Sequence, residues 1–226
     1  MSINFNNDMP AAGSSVPTAP QSAPATPAAA GGVINLSKGG SIDLKKVDDT
    51  LDELMFGLFW DSNRFNTGGD FDCDSSVFLL GADGKCAGMQ DFIFYGHLTH
   101  DSGAVIHHGD NRTGAGDGDD EIIDVTLSKV PADKEKLVFV VTIYEADQRG
   151  QNFGGVENSG IRLVNKKTGQ EIARVDLNEN FSFETAVVFA ELYRYNGSWK
   201  FKAIESGFNG GLAAACASYG LQATGG

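Results

Sequence analysis

The sequence predicts a mainly all-β protein: a two-sheet β-sandwich with Gly-rich acidic loops and a short C-terminal helix. Three observations lead there. Short apolar and β-branched runs recur along the chain with Gly-containing turns between them. Glycine contributes 29 residues, which suits a chain that turns often, because glycine reaches positive φ without steric cost. Only one segment reads as a helix. Many short strands of this kind bury their apolar faces most simply as two packed sheets.

In chain order, residues 1–32 stand apart. The run AAGSSVPTAPQSAPATPAAAGG holds mostly Ala, Pro, Ser, Thr and Gly. It has nothing to pack a core, and repeated prolines break helices. A disordered Ala/Pro/Ser-rich extension is expected here, with Ile3, Phe5 and Met9 at its head as candidates for a docking peptide. The folded domain is expected over 33–221. Strands are expected at VINL (33–36), SIDL (41–44), ELMFGLFW (53–60), SSVFLL (75–80), DFIFY (91–95) and EIIDVTL (121–127). KLVFVVTIYEA (136–146) carries the strongest strand signal. IRLVN (161–165) and EIARVDL (171–177) flank Lys167-Thr168-Gly169. TAVVFAELYRY (185–195) and SWKFKAI (198–204) flank Asn196-Gly197, the preferred two-residue hairpin turn. GLAAACASYG (211–220) is the expected helix.

Bulk properties exclude several classes. A net charge of -13 opposes nucleic-acid binding, which needs basic residues to neutralise phosphates. It also opposes unaided docking on an anionic membrane. Cys73, Cys86 and Cys216 are odd in number and form no CxxC, so neither a disulfide scaffold nor a zinc knuckle is expected. A reducing cytoplasm is the simplest setting. No apolar run reaches membrane-spanning length, and the N-terminus lacks a signal-peptide pattern.

Two acidic constellations carry the chemistry. In GGDFDCDSS, Asp70, Asp72 and Asp74 occupy alternate positions, which an extended segment places on one face. Like charges so close repel unless a cation neutralises them. In GDNRTGAGDGDDE (109–121), Asp110, Asn111, Thr113, Asp117, Asp119, Asp120 and Glu121 mix with Gly109, Gly114, Gly116 and Gly118. Carboxylates, amides and inward-turned carbonyls are the mixture that Ca²⁺ takes with 6–8 oxygen ligands. Mg²⁺ fits such a loop less well, and zinc and copper want imidazole or thiolate. An EF-hand fails in detail: in the span from Asp110 to Glu121, Arg112 and Gly114 take the third and fifth positions and Ala115 the sixth.

These segments lie within a longer series. GLFWDSN (57–63), DFDCDSSVFLL (70–80), DFIFYG (91–96), GDNRTGAGDGDDE (109–121), ELYRYNGSWKF (191–201) and GFNGGLAAACASYG (207–220) resemble the successive motifs of the TerD-domain family, over about residues 33–221. The resemblance implies a calcium-binding β-sandwich from a bacterial or phage-borne stress gene set linked to resistance to tellurite and other insults. By motif position it implies Asp70, Asp72, Asp110, Asn111, Asp119 and Glu121 as ligands, with Gly114 and Gly116 shaping the loop. Asp61, Asp74, Thr113 and Asp117 come second. Two ions are expected, since the candidate ligands exceed the needs of one. Two features depart from the family pattern: Cys73, where the family usually has Leu, and the proline-rich head.

Other sites rank lower. His97, His100, His107 and His108 lack an ordered third ligand for a transition metal. No GxSxG or phosphate-binding loop occurs, so no enzyme activity is expected. Cys73 sits among carboxylates that disfavour its thiolate. Trp60 and Trp199 are expected in the core. The expected partners are calcium and proteins, other products of the stress operon among them. One functional reading is a calcium-stabilised stress-response protein. The alternative is a structural or assembly component that uses calcium-ordered loops and the N-terminal tail to hold a protein partner. Calcium-dependent membrane docking, with Phe71 and Arg112 as loop-tip residues, ranks below both. Location at the inner membrane surface is expected only through partners.

Overall fold

The computed structural model describes residues 3–4, 32–61, 71–109, 118–177 and 181–224. In chain order the strands are β1 (Ile3–Asn4), β2 (Ile34–Asn35), β3 (Ser41–Asp43), β4 (Glu53–Asp61), β5 (Cys73–Leu80), β6 (Phe92–Ile93) and β7 (Val105–His107). There follow β8 (Glu121–Thr126), β9 (Lys136–Ile143), β10 (Glu157–Asn165), β11 (Gln170–Asp176), β12 (Ala186–Tyr195), β13 (Ser198–Phe208) and β14 (Ala223–Thr224). Helices are short: α1 (Leu44–Val47), α2 (Ala146–Arg149) and α3 (Gly211–Ser218).

Two six-stranded sheets form, in the orders β2-β11-β10-β4-β8-β7 and β3-β13-β12-β9-β5-β6. They are antiparallel except where β2 runs parallel to β11. Ile3–Asn4 pairs in parallel with Ala223–Thr224 in a separate two-stranded unit.

Alternation explains which faces meet. Along β4, Leu54, Phe56, Leu58 and Trp60 enter the core between the sheets, while Met55, Gly57 and Phe59 face outward. Phe56 stacks on Phe139 of β9 at 4.1 Å between ring centroids, which ties the two sheets together. Burying such a ring is worth roughly 2–3 kcal/mol. β9 is apolar on both faces because both are covered. Leu137, Phe139, Val141 and Ile143 join the inter-sheet core. Val138 and Val140 join a second cluster, in which Phe78 and Phe92 stack beneath Ala215 and Cys216 of α3. Asn196 and Gly197 both adopt positive φ, 49° and 74°, as the hairpin turn between β12 and β13 requires.

Several boundaries differ from the sequence reading. SIDL loses Leu44 to α1, where the Asp43 side chain accepts from the Lys45 N–H as an N-cap. DFIFY keeps only Phe92–Ile93 as a strand. Asp91 is drawn into a buried pairing with Lys134 at 2.7 Å, and Phe94 folds back onto His97. KLVFVVTIYEA stops at Ile143 because Glu145 enters the left-handed region and starts α2. α1, α2 and the edge strand β7 were not expected.

Candidate metal centre

The C-terminal end of β4, the start of β5 and the start of β8 lie at one end of the sandwich. Side chains knit them together. Trp60 donates its backbone N–H to Asp120 Oδ2 at 2.9 Å and its indole N–H to the Phe71 carbonyl at 3.3 Å. The Asn158 amide, at the start of β10, donates to Asp61 Oδ2. The two acidic segments, far apart in sequence, therefore meet in space.

Glu121 makes the closest link. Its Oε2 accepts the Ser75 N–H at 2.6 Å across 46 residues, from one sheet to the other. β6 covers β5 only at Val77 and Phe78, so Ser75, paired with Val141 of β9 on one side, has no strand on its other side among the described residues. Two side chains complete that edge, Glu121 and His107. His107 Nδ1 accepts from the Gly109 N–H at 3.0 Å, which leaves the proton on Nε2, donated to the Ser75 carbonyl at 3.1 Å. Burial holds His107 down to about 4, so it is neutral.

Two acidic residues turn the other way. Asp119 lies over Gly57 on the outer face of the sheet. Arg162, opposite Gly57 on β10, grips both its oxygens, at 2.6 and 2.8 Å. A side chain at position 57 would collide with that carboxylate. Asp124, also on the outer face, is paired with Lys166 and with His108 Nε2, the latter at 2.7 Å. The sequence alone treats Asp119 as a ligand; in the fold its charge is already met by Arg162. Arg162 lies 43 residues away and nothing in the local pattern points to it.

The carboxylates around this end leave an electrostatic signature. Burial and then the charges of Asp74, Glu121, Asp72 and Asp120 push the Cys73 thiol well up. Cys73 lies in the core at 1% exposure. Burial, followed by the neighbouring charges of Asp119 and Asp61, raises Asp120. Asp72, Asp74 and Glu121 are buried, and Asp74 faces away from Cys73, opposite Thr142 of β9. The donor set is all oxygen, which fits a hard cation such as Ca²⁺ and not zinc. Among the described residues, no group of three His, Cys, Asp or Glu side chains could hold an ion by itself. Asp70, Asp110, Asn111, Thr113, Gly114, Gly116 and Asp117 lie outside the described residues.

Other expectations resolve plainly. Phe71 is not a loop-tip residue: its ring is buried, 5% exposed, and packs against Gly155, because an aromatic at this strand entrance gains more from the core. Arg112 lies outside the described residues. Trp60 and Trp199 are buried, Trp199 beneath the Arg194 guanidinium at 4.5 Å. The histidines have separate tasks: His97 binds the Phe92 carbonyl, and His100 Nδ1 accepts from the Ser102 N–H. Ser102, His100 and Asp91 fall in a row, but His100 Nε2 stands 3.5 Å from Asp91, whose charge is met by Lys134.

Residues 33–219 match the profile of the TerD domain. The chain belongs to the TerD domain family. This TerD-domain protein is 54% identical over 189 residues to general stress protein 16U of Bacillus subtilis, covering 84% of this chain and 98% of that one. It is 51% identical over 191 residues to the tellurium resistance protein TerD of Serratia marcescens, with 84% and 99% coverage. The fold is similar to that of a solved TerD homologue from Streptomyces coelicolor, with TM-score 0.58 at 20% identity over 73% of this chain and 94% of that one. The family is thus one of tellurium resistance and general stress proteins. No described helix is long and apolar enough to cross a membrane.

Proposed function

We propose that this protein is a calcium-binding stress-response protein linked to resistance to tellurite and other stresses. Ca²⁺ binds between the 61–74 and 110–121 segments and stabilises the loops and the fold. The observation that supports this reading is the meeting of the two acidic segments at one end of the sandwich, where Asp120 accepts the Trp60 N–H and Glu121 the Ser75 N–H, with Asp72 buried nearby in the chain. Asp120 and Glu121 each accept a backbone N–H there, which fixes the orientation of the carboxylate. Asp61, Asp72, Asp74 and Glu121 are proposed ligands at this end. Asp70, Asp110, Asn111, Thr113 and Asp117, with the bends allowed by Gly114 and Gly116, complete the oxygen shells of two ions. Asp119 serves only by exchanging Arg162 for an ion. The protein acts by binding rather than by turnover, and its calling partners are proteins of the same stress response.

Thermal unfolding in EDTA, excess Mg²⁺ and excess Ca²⁺ tests this. At a hundredfold excess over Kd, an ion that binds only the folded state adds about 2.7 kcal/mol, a rise of about 5–10 °C for a domain of this size. The rise should be specific to Ca²⁺ and absent from Asp110→Ala/Glu121→Ala. An equal melting temperature in EDTA and Ca²⁺ would overturn the reading.

The pairing of Ile3–Asn4 with Ala223–Thr224 favours a second reading, an assembly component whose N-terminal peptide adds as a strand. Light scattering on the full chain and on residues 33–226 tests it. Loss of higher-mass species on truncation supports it, and identical profiles remove it.

A further inference from the structure

A cleft of about 210 Å³ lies on the outer face of the second sheet, between α2 and the N-terminal end of α3. α3 begins at Gly210, which has positive φ and no side chain to cap the helix. The Gly211 N–H finds Thr185 Oγ1 at 3.0 Å. The next two N–H groups, of Leu212 and Ala213, meet no acceptor among the described residues. Such groups form an anion-binding end. A second, independent feature faces the same space. Thr142 lies on the outward side of β9 between the core residues Val141 and Ile143 and is 2% exposed. It lines the cleft, and its hydroxyl makes no hydrogen bond among the described residues.

Carboxylates stand beside Thr142, whose cross-strand partner on β5 is Asp74. Asp74 lies in the floor, 7% exposed, and Glu145 and Asp147 stand at the rim. Glu145 holds a left-handed backbone, φ 49°, uncommon for a residue with a side chain. The apolar lining comes from Tyr95 and Leu212. A helix N-terminus and a hydroxyl beside a carboxylate, with an apolar wall next to them, match a small molecule that carries both charges close together. The volume lies below the roughly 300 Å³ at which sites for drug-sized ligands begin, so the occupant is small.

We propose that this cleft binds a free α-amino acid with an apolar side chain. Its carboxylate meets the Leu212 and Ala213 N–H groups and the Thr142 hydroxyl, and its ammonium meets Asp74 and the rim acids. The site shares Asp74 with the calcium reading, so Ca²⁺ bound there should weaken amino-acid binding.

The test is calorimetric titration of the full chain with L-alanine, L-leucine and L-phenylalanine, in EDTA and again in Ca²⁺. Leucinamide, which lacks the carboxylate, and N-acetyl-L-leucine, which lacks the ammonium, serve as controls. Saturable binding of a zwitterion in EDTA is expected, with each control weaker by about tenfold or more. Thr142→Val keeps shape and removes the hydroxyl, and should weaken binding about fivefold, with circular dichroism confirming the fold. The proposal is overturned if none of the three amino acids binds. It is also overturned if leucinamide or N-acetyl-L-leucine binds as tightly as L-leucine, which would make the cleft a site for one charge only. Binding in EDTA without any calcium effect on melting separates this proposal from the calcium reading.

Discussion

Asp119 and Glu121 are two residues apart and have opposite circumstances. Asp119 turns to the outer face and is clasped by Arg162; Asp124, further along, meets Lys166 there. Glu121 turns inward, where its Oε2 accepts the Ser75 N–H and stands 3.7 Å from neutral His107. The outer carboxylates come with their own cations. Glu121 and Asp120 are oriented by backbone N–H groups, those of Ser75 and Trp60. Local sequence does not separate the two groups. Face and partner do, so an acidic loop has to be read one carboxylate at a time.

The largest way to break this contrast is at Glu121. Glu121→Ala leaves the Ser75 N–H buried without its acceptor, a cost of about 3 kcal/mol in EDTA, and also removes the calcium stabilisation. Glu121→Gln keeps an acceptor oxygen and loses the charge. It should melt near wild type in EDTA yet show a reduced calcium response, a difference that scanning calorimetry reads directly.

His107 gives an effect nearly as large, read through pH. Its folded value is about 4, below the ordinary 6.5. As pH falls below 6.5 the unfolded chain takes up the proton first. Stability is therefore full above 6.5 and declines as pH falls towards 4, by about 3 kcal/mol in all. His107→Gln, which retains a donor for the Ser75 carbonyl, should flatten that part of the denaturation profile. An unchanged slope would show that His107 does not govern it.

On the outer face, Gly57→Ala sharpens the comparison from the opposite side. The added methyl displaces Asp119 from its place beneath Arg162 and should cost about 2 kcal/mol, with the calcium-induced rise in melting temperature kept. The smallest effect belongs to Lys136→Ala. Its partner Glu191 is 2.8 Å away at the surface, and urea unfolding should report about 0.5 kcal/mol or less.

The sandwich was legible wherever one period governed a segment. Alternation in ELMFGLFW sent Leu54, Phe56, Leu58 and Trp60 inward, and Asn196-Gly197 marked its hairpin. It was less legible where tertiary partners decide. β7 is three residues among polar neighbours, supported by pairing with Val125, Asp124 and Ile123. DFIFY has strand composition, but Lys134, 43 residues on, claims Asp91 and shortens it. The same limit applies to the acidic site: composition identified the carboxylates, but which face each one takes depends on Arg162, Ser75 and His107, all distant in sequence or silent in pattern.

The short reach of β6 has a further consequence. Beyond Val77, the edge of β5 would offer free backbone groups to any extended chain, the template on which sheets of separate molecules join. Glu121 and His107 fill that place from within. A foreign strand could add there only by evicting a buried carboxylate, so the residue that links the two sheets also guards the protein against polymerising along its own edge.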